Sequence, residues 1–347
     1  MKITDRNIRK YKRIITPKEM KERFPSEYNS RILGFRKEIE NILSKKSNRI
    51  MIIVGPCSIH NTSEAYEYAL KLSELSKIVS NKIFIIMRTY FEKPRTILGW
   101  KGFIHDPHLD GTNDIESGLI SSRKLLIDIA KLGVPCATEF LNNISPQFMD
   151  DLISWAAIGA RTTESQTHRE MASGMSMPVG FKNDTNGNHE TAINAIKSAL
   201  EPHSFLGIDD NGNNAIVHTY GNKYSHLILR GGEFKGKYIT NYKDAKSISD
   251  LMNDNNLLSS IIIDCSHANS EKNHLKQIDV FKEVISEVAK SNEKYISGLM
   301  LESNLFEGNQ KLTNENRLEL SKGVSITDSC ISWEMTKKLI LSAYELL

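Results

Sequence analysis

A chain of 347 residues, 39% hydrophobic and 25% charged, carries enough apolar material for one large core, and a net charge of +3 is too small to call for nucleic acid. Four cysteines, Cys57, Cys136, Cys265 and Cys330, stand far apart with no CxxC pair, which excludes a local zinc finger and fits a reduced, cytoplasmic setting. The opening MKITDRNIRK is charged from its second residue and no apolar stretch follows, so neither a signal peptide nor a membrane span is expected.

Residues 1–49 hold fifteen Lys and Arg against six Asp and Glu, without the interleaved aromatics that stack on bases. Within them Ile32, Phe35, Ile39 and Ile42 recur at helical spacing. We expect an arm, then a helix with one buried face, whose basic surface is solvated or meets another subunit. From residue 50 the pattern changes. Short apolar runs at 50–54, 83–87, 134–138, 155–160, 178–181, 227–229, 260–263 and 297–301 predict eight strands. Between them lie helix-length stretches at 62–80, at 163–174 with Gly174 as its cap, and at 189–200; others start near Lys243 and Glu271, and 334–346 closes the chain. Residues 203–219 interrupt this alternation. HSFLGI and AIVHT flank DDNGNN and predict a β-hairpin inserted before strand six. Strand-helix alternation implies a parallel sheet. We read residues 50–347 as an α/β fold, a (β/α)8 TIM barrel, with an open doubly wound sheet as the alternative, since strand order is not visible in sequence. A barrel needs about 250 residues, and the two additions account for the excess without a second core.

Just beyond the strands come Cys57, Arg88, Glu139, Arg161, Lys182, Arg230, Asp264 with His267, and Glu302. In a barrel these share the C-terminal rim, where active sites are built. Arg88, Arg161, Lys182 and Arg230 would repel one another unless an anion lay between them, and each charge-assisted bond to it contributes roughly 1.5 to 3 kcal/mol. Lys93, Arg95 and Thr96 form a second cationic group on a loop stiffened by Pro94. Two anion sites point to two phosphorylated substrates; the alternative is that some of these cations pair with Glu139, Glu164 or Glu302. Cys57, turned into the rim by Gly-Pro, could join His267, Glu302 and Asp328 in a mixed S/N/O site that favours Mn, Fe, Co, Zn or Cu over Mg. Each of the four has an equally ordinary reading as a packing or salt-bridge residue.

The segments GPCSIH (55–60), MRTYFEKPRT (87–96), GWKGFIHDPHLDG (99–111), GARTTESQTHRE (159–170), PVGFKN (178–183), LRGG (229–232), DCSHANS (264–270), EGNQ (307–310) and SITDSC (325–330) follow one another in register. In them the chain resembles the class I 3-deoxy-D-arabino-heptulosonate 7-phosphate (DAHP) synthases, specifically the feedback-regulated enterobacterial and fungal branch, from about residue 5 to its end. The resemblance implies condensation of phosphoenolpyruvate with erythrose 4-phosphate and water, giving DAHP and phosphate, the first step toward chorismate and the aromatic amino acids. It implies one divalent transition metal per subunit, Mn, Fe, Co or Zn, held by Cys57, His267, Glu302 and Asp328 as a Lewis acid for the aldehyde. Phosphoenolpyruvate contacts fall to Arg88, Lys93, Arg161, Lys182 and Arg230, and erythrose 4-phosphate contacts to Lys93, Arg95 and Thr96. Lys93, His267 and Asp328 are the implied catalytic groups, and Glu139, Asp328 and His267 all stay open as handlers of the water's proton. The resemblance also makes residues 1–49 and the hairpin a regulatory and oligomerisation device, in a homodimer or dimer of dimers, with Pro146, Gln147 and Ser176 lining an aromatic amino acid site. Asn142 stands where an acidic residue is implied, so phenylalanine, tyrosine and tryptophan all remain open as effectors. No nucleic-acid or membrane partner is implied. The barrel that makes keto-deoxy-octulosonate phosphate shares the chemistry, but KPRT and the long N-terminal arm argue against it; the four ligand residues argue against an inactive sensor.

Overall fold

The computed structural model describes residues 3–313 and 315–347. β1 (Ile50–Gly55), β2 (Ile83–Arg88), β3 (Cys136–Glu139), β4 (Trp155–Ile158) and β5 (Val179–Lys182) run parallel in chain order. β6 (Ser204–Ile208) and β7 (Asn214–His218) form the separate antiparallel hairpin expected before the sixth barrel strand, β8 (His226–Leu229). β9 (Gly232–Phe234) and β10 (Lys237–Ile239) make a second small hairpin, then β11 (Ile261–Asp264) and β12 (Ile296–Asn304) complete the set, with β13 (Ile331–Ser332) beside the end of β12. β12 pairs with β1 from Met51↔Gly298 to Gly55↔Glu302. That pairing closes the sheet, so the fold is the TIM barrel and not the open alternative.

The helices are α1 (Pro17–Arg23), α2 (Asn29–Leu43), α3 (Thr62–Val79), α4 (Ile115–Lys131), α5 (Pro146–Met149), α6 (Gln166–Gly174), α7 (Glu190–Leu200), α8 (Ala245–Asp254), α9 (Lys276–Lys290) and α10 (Trp333–Leu346). Alternate strand residues face inward and outward, and both faces are covered, which explains why the strands read as unbroken apolar runs. Inside the barrel, Met51, Ile53, Ile86, Ala137, Trp155, Ala157, Ile228, Ile262 and Met300 form one buried cluster with Ile39, Ile42 and Leu43 of α2. α2 is therefore the floor of the barrel, at the end opposite the rim. Its expected apolar face is real: Ile32, Ile39 and Ile42 are buried, and Phe35 is half-buried against Phe84. Arg36 on the same helix is buried too, donating to the carbonyls of Ile153 and Asp150.

Some boundaries differ from the sequence reading. α6 starts at Gln166, three residues late, because the Thr162 and Thr163 hydroxyls donate to Gly159 O and hold a turn instead. α9 starts at Lys276 rather than Glu271, since Glu271 and Lys272 take left-handed φ of 53° and 57° and turn the chain. The β9–β10 hairpin, with strands of three residues each, and α4, capped by Asp114, are additions to the elements that the sequence predicts. No described helix is long and apolar enough to cross a membrane.

The two additions meet. Lys18 N–H donates to Asp210 O in the β6–β7 turn at 2.8 Å, and Lys21 Nζ lies 3.2 Å from Asp210 and 4.0 Å from Asp150. α1 packs on α5, so arm, hairpin and α5 converge.

Candidate active site

At the C-terminal ends of the strands a cavity of about 340 Å³ is lined by Lys93, Arg95, Glu139, Arg161, Lys182, Arg230, His267, Glu302 and Asp328, among others. Cys57 and Arg88 are buried behind its wall, and Thr96 is exposed outside it. β1 delivers Cys57 through Gly55, where a side chain would press to 2.9 Å from Arg88 O, so only glycine lets strands one and two approach there. Ser58 Oγ and Thr327 Oγ1 share a hydrogen bond of 2.8 Å, fastening the Cys57 loop to the Asp328 loop. The Sγ of Cys57 and carboxylate oxygens of Glu302 and Asp328 consequently lie within 4.8 Å of one another. His267 stands at the edge of this trio, its Nε2 4.0 Å from Glu302 Oε1. Its Nδ1 faces Asp264 Oδ2 at 3.0 Å, which turns Nε2 toward the cluster. A left-handed φ of 59° at His267 is the backbone cost of that aim.

Burial first, then the charge of Glu302, pushes the Cys57 thiol up to about 12. Lys93 Nζ sits 3.1 Å from that sulfur. Burial works against its charge, yet Cys57, Asp328 and Glu302 raise Lys93 above the ordinary lysine value, so it stays an ammonium. Desolvation opposes the charge of Asp328 as well, but Lys93 and His267 draw it down to about 2.

The cations are partly paired. Arg88 donates from Nη2 to Glu302 Oε1 at 3.0 Å and lies over the Tyr90 ring, while its Nη1 is buried without a hydrogen-bond partner among the described residues. Lys182 Nζ is 3.1 Å from Asp264 Oδ2 and 3.8 Å from Glu139 Oε2. Against the cost of burial, His267 and Lys182 hold Asp264 well below the usual carboxylate range. Burial lowers Arg230, Asp264 raises it, and Arg161 lowers it again; Arg161 itself is exposed. Arg95 Nε donates to Trp100 O at 2.8 Å, which folds the loop after β2 back on itself. Pairing with Glu139 and Glu302, one of the alternatives raised by the sequence, therefore occurs for Lys182 and Arg88, while among the described residues Arg88 Nη1 has no hydrogen-bond partner and Arg161 no ion-pair partner.

Pro146 is buried and Gln147 half-buried on α5, Ser176 is exposed in the turn between α6 and β5, and none of them lines the rim cavity. Ser173 and Thr219 share a hydrogen bond of 2.7 Å, so the base of the β6–β7 hairpin sits at the end of α6. Asn142 is exposed and accepts from Ile144 N–H. Sequence reasoning missed how Asp264 grips both Lys182 and His267, although its place at a strand end was the available signal. It also missed Glu92, whose buried carboxyl accepts from Ser145 Oγ–H and Leu141 N–H and is pushed up to about 7 by burial.

A closed parallel barrel with buried cations and a thiol-carboxylate cluster on its rim is the arrangement of a TIM-barrel enzyme whose rim suits an anionic ligand, with donors suited to a divalent metal. The model of the DAHP synthetase I family matches residues 21–341, and the chain belongs to that family. Over 347 residues it is 46% identical to the Tyr-sensitive phospho-2-dehydro-3-deoxyheptonate aldolase of Escherichia coli (strain K12), covering 99% of this chain and 94% of that one. The Phe-sensitive aldolase of the same organism is 46% identical over 341 residues, covering 97% and 95%. The structure of phospho-2-dehydro-3-deoxyheptonate aldolase from Francisella tularensis SCHU S4 superposes with a TM-score of 0.92 at 43% identity, covering 98% of each chain. The resemblance read from the motifs is borne out, and with family membership comes the family's activity, synthesis of DAHP.

Proposed function

We propose that the rim cavity condenses phosphoenolpyruvate with erythrose 4-phosphate and water, with the labour divided between a phosphate nest and a metal-type cluster. The observation that carries this reading is the meeting of Cys57, Glu302 and Asp328 within 4.8 Å beside Lys93 and Arg88. Arg161, Lys182 and Arg230 would bind the enol phosphate, and Arg88 the carboxylate, which would satisfy its unpartnered Nη1. Lys93, with Arg95 and Thr96, would take erythrose 4-phosphate, and the Lys93 ammonium also donates where negative charge develops on the aldehyde oxygen. Holding both substrates in this way brings the methylene carbon and the carbonyl carbon to reacting distance.

The donor set fits a divalent transition metal, Mn, Fe, Co or Zn, because a thiolate, an imidazole and two carboxylates combine soft and hard ligands in one place. Cys57, His267, Glu302 and Asp328 would hold it. When bound, such an ion supplies Lewis-acid polarisation of the aldehyde. Asp264 keeps His267 in the tautomer that offers Nε2. The proton of the attacking water falls to Glu139, Asp328 or His267, all of which line the cavity.

Relatives named Tyr-, Phe- and Trp-sensitive support an aromatic amino acid effector. Its site would be at Pro146, Gln147 and Ser176, near where arm, hairpin and α5 converge. Leu206 and Ile216, 81% and 64% exposed on the outer face of the hairpin, support a homodimer or dimer of dimers. Residues 1–49 would then act as a regulatory and oligomerisation extension of the 50–347 barrel, with α2 also serving as its floor. Four free cysteines support a cytoplasmic setting.

The test is phosphoenolpyruvate consumption in the presence of erythrose 4-phosphate by metal-stripped protein, with and without added Mn, for wild type and Cys57→Ala. We expect Mn-dependent turnover in the wild type and none in the variant. Full activity of Cys57→Ala in chelator would refute the ligand assignment. Adding phenylalanine, tyrosine and tryptophan singly tests the effector, and indifference to all three discards it.

A further inference from the structure

α9 buries one stripe, Gln277, Val280, Phe281, Val284 and Ile285, spaced as an amphipathic helix requires. Its first position is not apolar. Gln277 is fully buried, and both ends of its amide bond the backbone of one residue: Nε2–H donates to Glu302 O at 3.0 Å, and Oε1 accepts from Glu302 N–H at 3.0 Å.

The topology explains the need. β12 pairs with β11 only as far as Asp264↔Met300, while on its other side it continues beside β1 to Gly55↔Glu302. Both backbone groups of Glu302 therefore point past the end of β11 into the protein interior, where an unpaired N–H or C=O is not tolerated. A primary amide carries one N–H beside its carbonyl oxygen in the same plane, so Gln277 meets both backbone groups of Glu302 where the next residue of β11 would otherwise have paired. The carboxylate anchored this way accepts from Arg88 Nη2 at 3.0 Å, approaches His267 Nε2 to 4.0 Å and belongs to the trio with Cys57 and Asp328.

We propose that Gln277 is a positioning residue: it fixes the backbone of Glu302 so that the carboxylate can serve the metal cluster and Arg88 at once. Resting on the metal reading given above, the assignment couples a helix on the outside of the barrel to ion affinity, and through Arg88 to phosphoenolpyruvate binding. Outer partners of this kind change metal affinity by about tenfold to a hundredfold.

The experiment measures Mn²⁺ binding to metal-stripped full-length protein, from the paramagnetic resonance signal of free Mn²⁺, in wild type, Gln277→Met, Gln277→Glu, Val284→Ala and Cys57→Ala. Val284 is buried on the same stripe roughly two helical turns beyond Gln277, and its side chain has no polar group to bond Glu302, so Val284→Ala reports loss of packing alone. We expect Mn²⁺ to bind at least tenfold more weakly to both Gln277 variants, with KM for phosphoenolpyruvate raised more than kcat is lowered, and affinity within twofold of wild type for Val284→Ala despite a reduced Tm. Gln277→Glu, the same size as glutamine, decides the matter if Gln277→Met does not fold. Gln277 variants that bind Mn²⁺ as tightly as wild type while losing Tm like Val284→Ala overturn the positioning role. A Cys57→Ala variant that binds Mn²⁺ like wild type overturns it differently, by removing the metal site on which it rests.

Discussion

Arg88 is a guanidinium with almost no water: Glu302 accepts from it at 3.0 Å, Pro56 O at 3.4 Å, and the Tyr90 ring lies 4.0 Å beneath. Taking such a charge out of water costs several kcal/mol, and these partners offset it. A lysine here would keep the charge but lose the planar fork that serves Glu302 and a substrate carboxylate together. We therefore expect Arg88→Lys to fold and to raise KM for phosphoenolpyruvate by at least about tenfold, the value of one charge-assisted hydrogen bond of roughly 1.5 to 3 kcal/mol. Saturation curves in phosphoenolpyruvate at fixed erythrose 4-phosphate check this, and an unchanged KM takes Arg88 out of the carboxylate site. Arg88, like Lys182 and Glu302, was legible in sequence because a reactive side chain at the end of an apolar run has one address in a barrel, the rim. The grip of Asp264 on two neighbours and of Gln277 on one backbone was not, because a buried polar group declares its partner only through spatial neighbours.

Among the elements, α2 does the least expected job. The sequence reading assigned residues 1–49 to an extension, with a solvated or subunit-contacting surface, yet Ile39, Ile42 and Leu43 complete the interior of the barrel. Ile39→Ala should cost about 2 to 5 kcal/mol, transfer plus cavity, since a floor wedged among strand side chains cannot collapse onto the gap. Urea unfolding should show the loss, while kcat/KM of the folded variant stays near wild type, because α2 lies at the end of the barrel away from the rim. A large fall in kcat/KM without a shift in the urea midpoint contradicts the assignment. Strands and the 204–218 hairpin were legible because period and turn residues are local signals. The start of α9 was not, because His267, Glu271 and Lys272 adopt left-handed backbone without glycine, and such strain is invisible in a residue pattern.

At the scale of the whole molecule the barrel turns sequence distance into proximity: closing β12 on β1 and joining Ser58 to Thr327 brings together loops 269 positions apart. Strand order, hence closure, was the part that periodicity could not supply. The same closed core buries ionisable groups in two opposing senses, which makes global stability depend on pH in a calculable direction. His226 accepts from Trp155 Nε1–H at 3.0 Å and faces Tyr224 O at 2.8 Å, so burial lowers it to about 4 from 6.5. Burial lowers His60, 3.6 Å from Glu64, by as much. Glu92, with His105 at 3.8 Å and Glu139 adding repulsion, is raised to about 7 from 4.5. Below pH 6.5 the unfolded chain binds protons that the two folded histidines refuse, so their contribution is whole above 6.5 and is lost as pH falls to 4. Glu92 has the opposite sign, because the folded carboxyl keeps a proton that the unfolded chain releases, and its contribution is whole below 4.5 and lost as pH rises to 7. Each shift corresponds to something on the order of 3 kcal/mol. Between pH 4.5 and 6.5 the histidines outnumber the glutamate, so stability should rise with pH. Glu92→Gln removes the opposing member alone, and its gain in unfolding free energy over that interval should exceed the wild-type gain by up to about 3 kcal/mol. Urea titrations of both proteins at pH 4.5, 5.5 and 6.5 make the comparison, and parallel profiles would mean that Glu92 is already ionised in the fold.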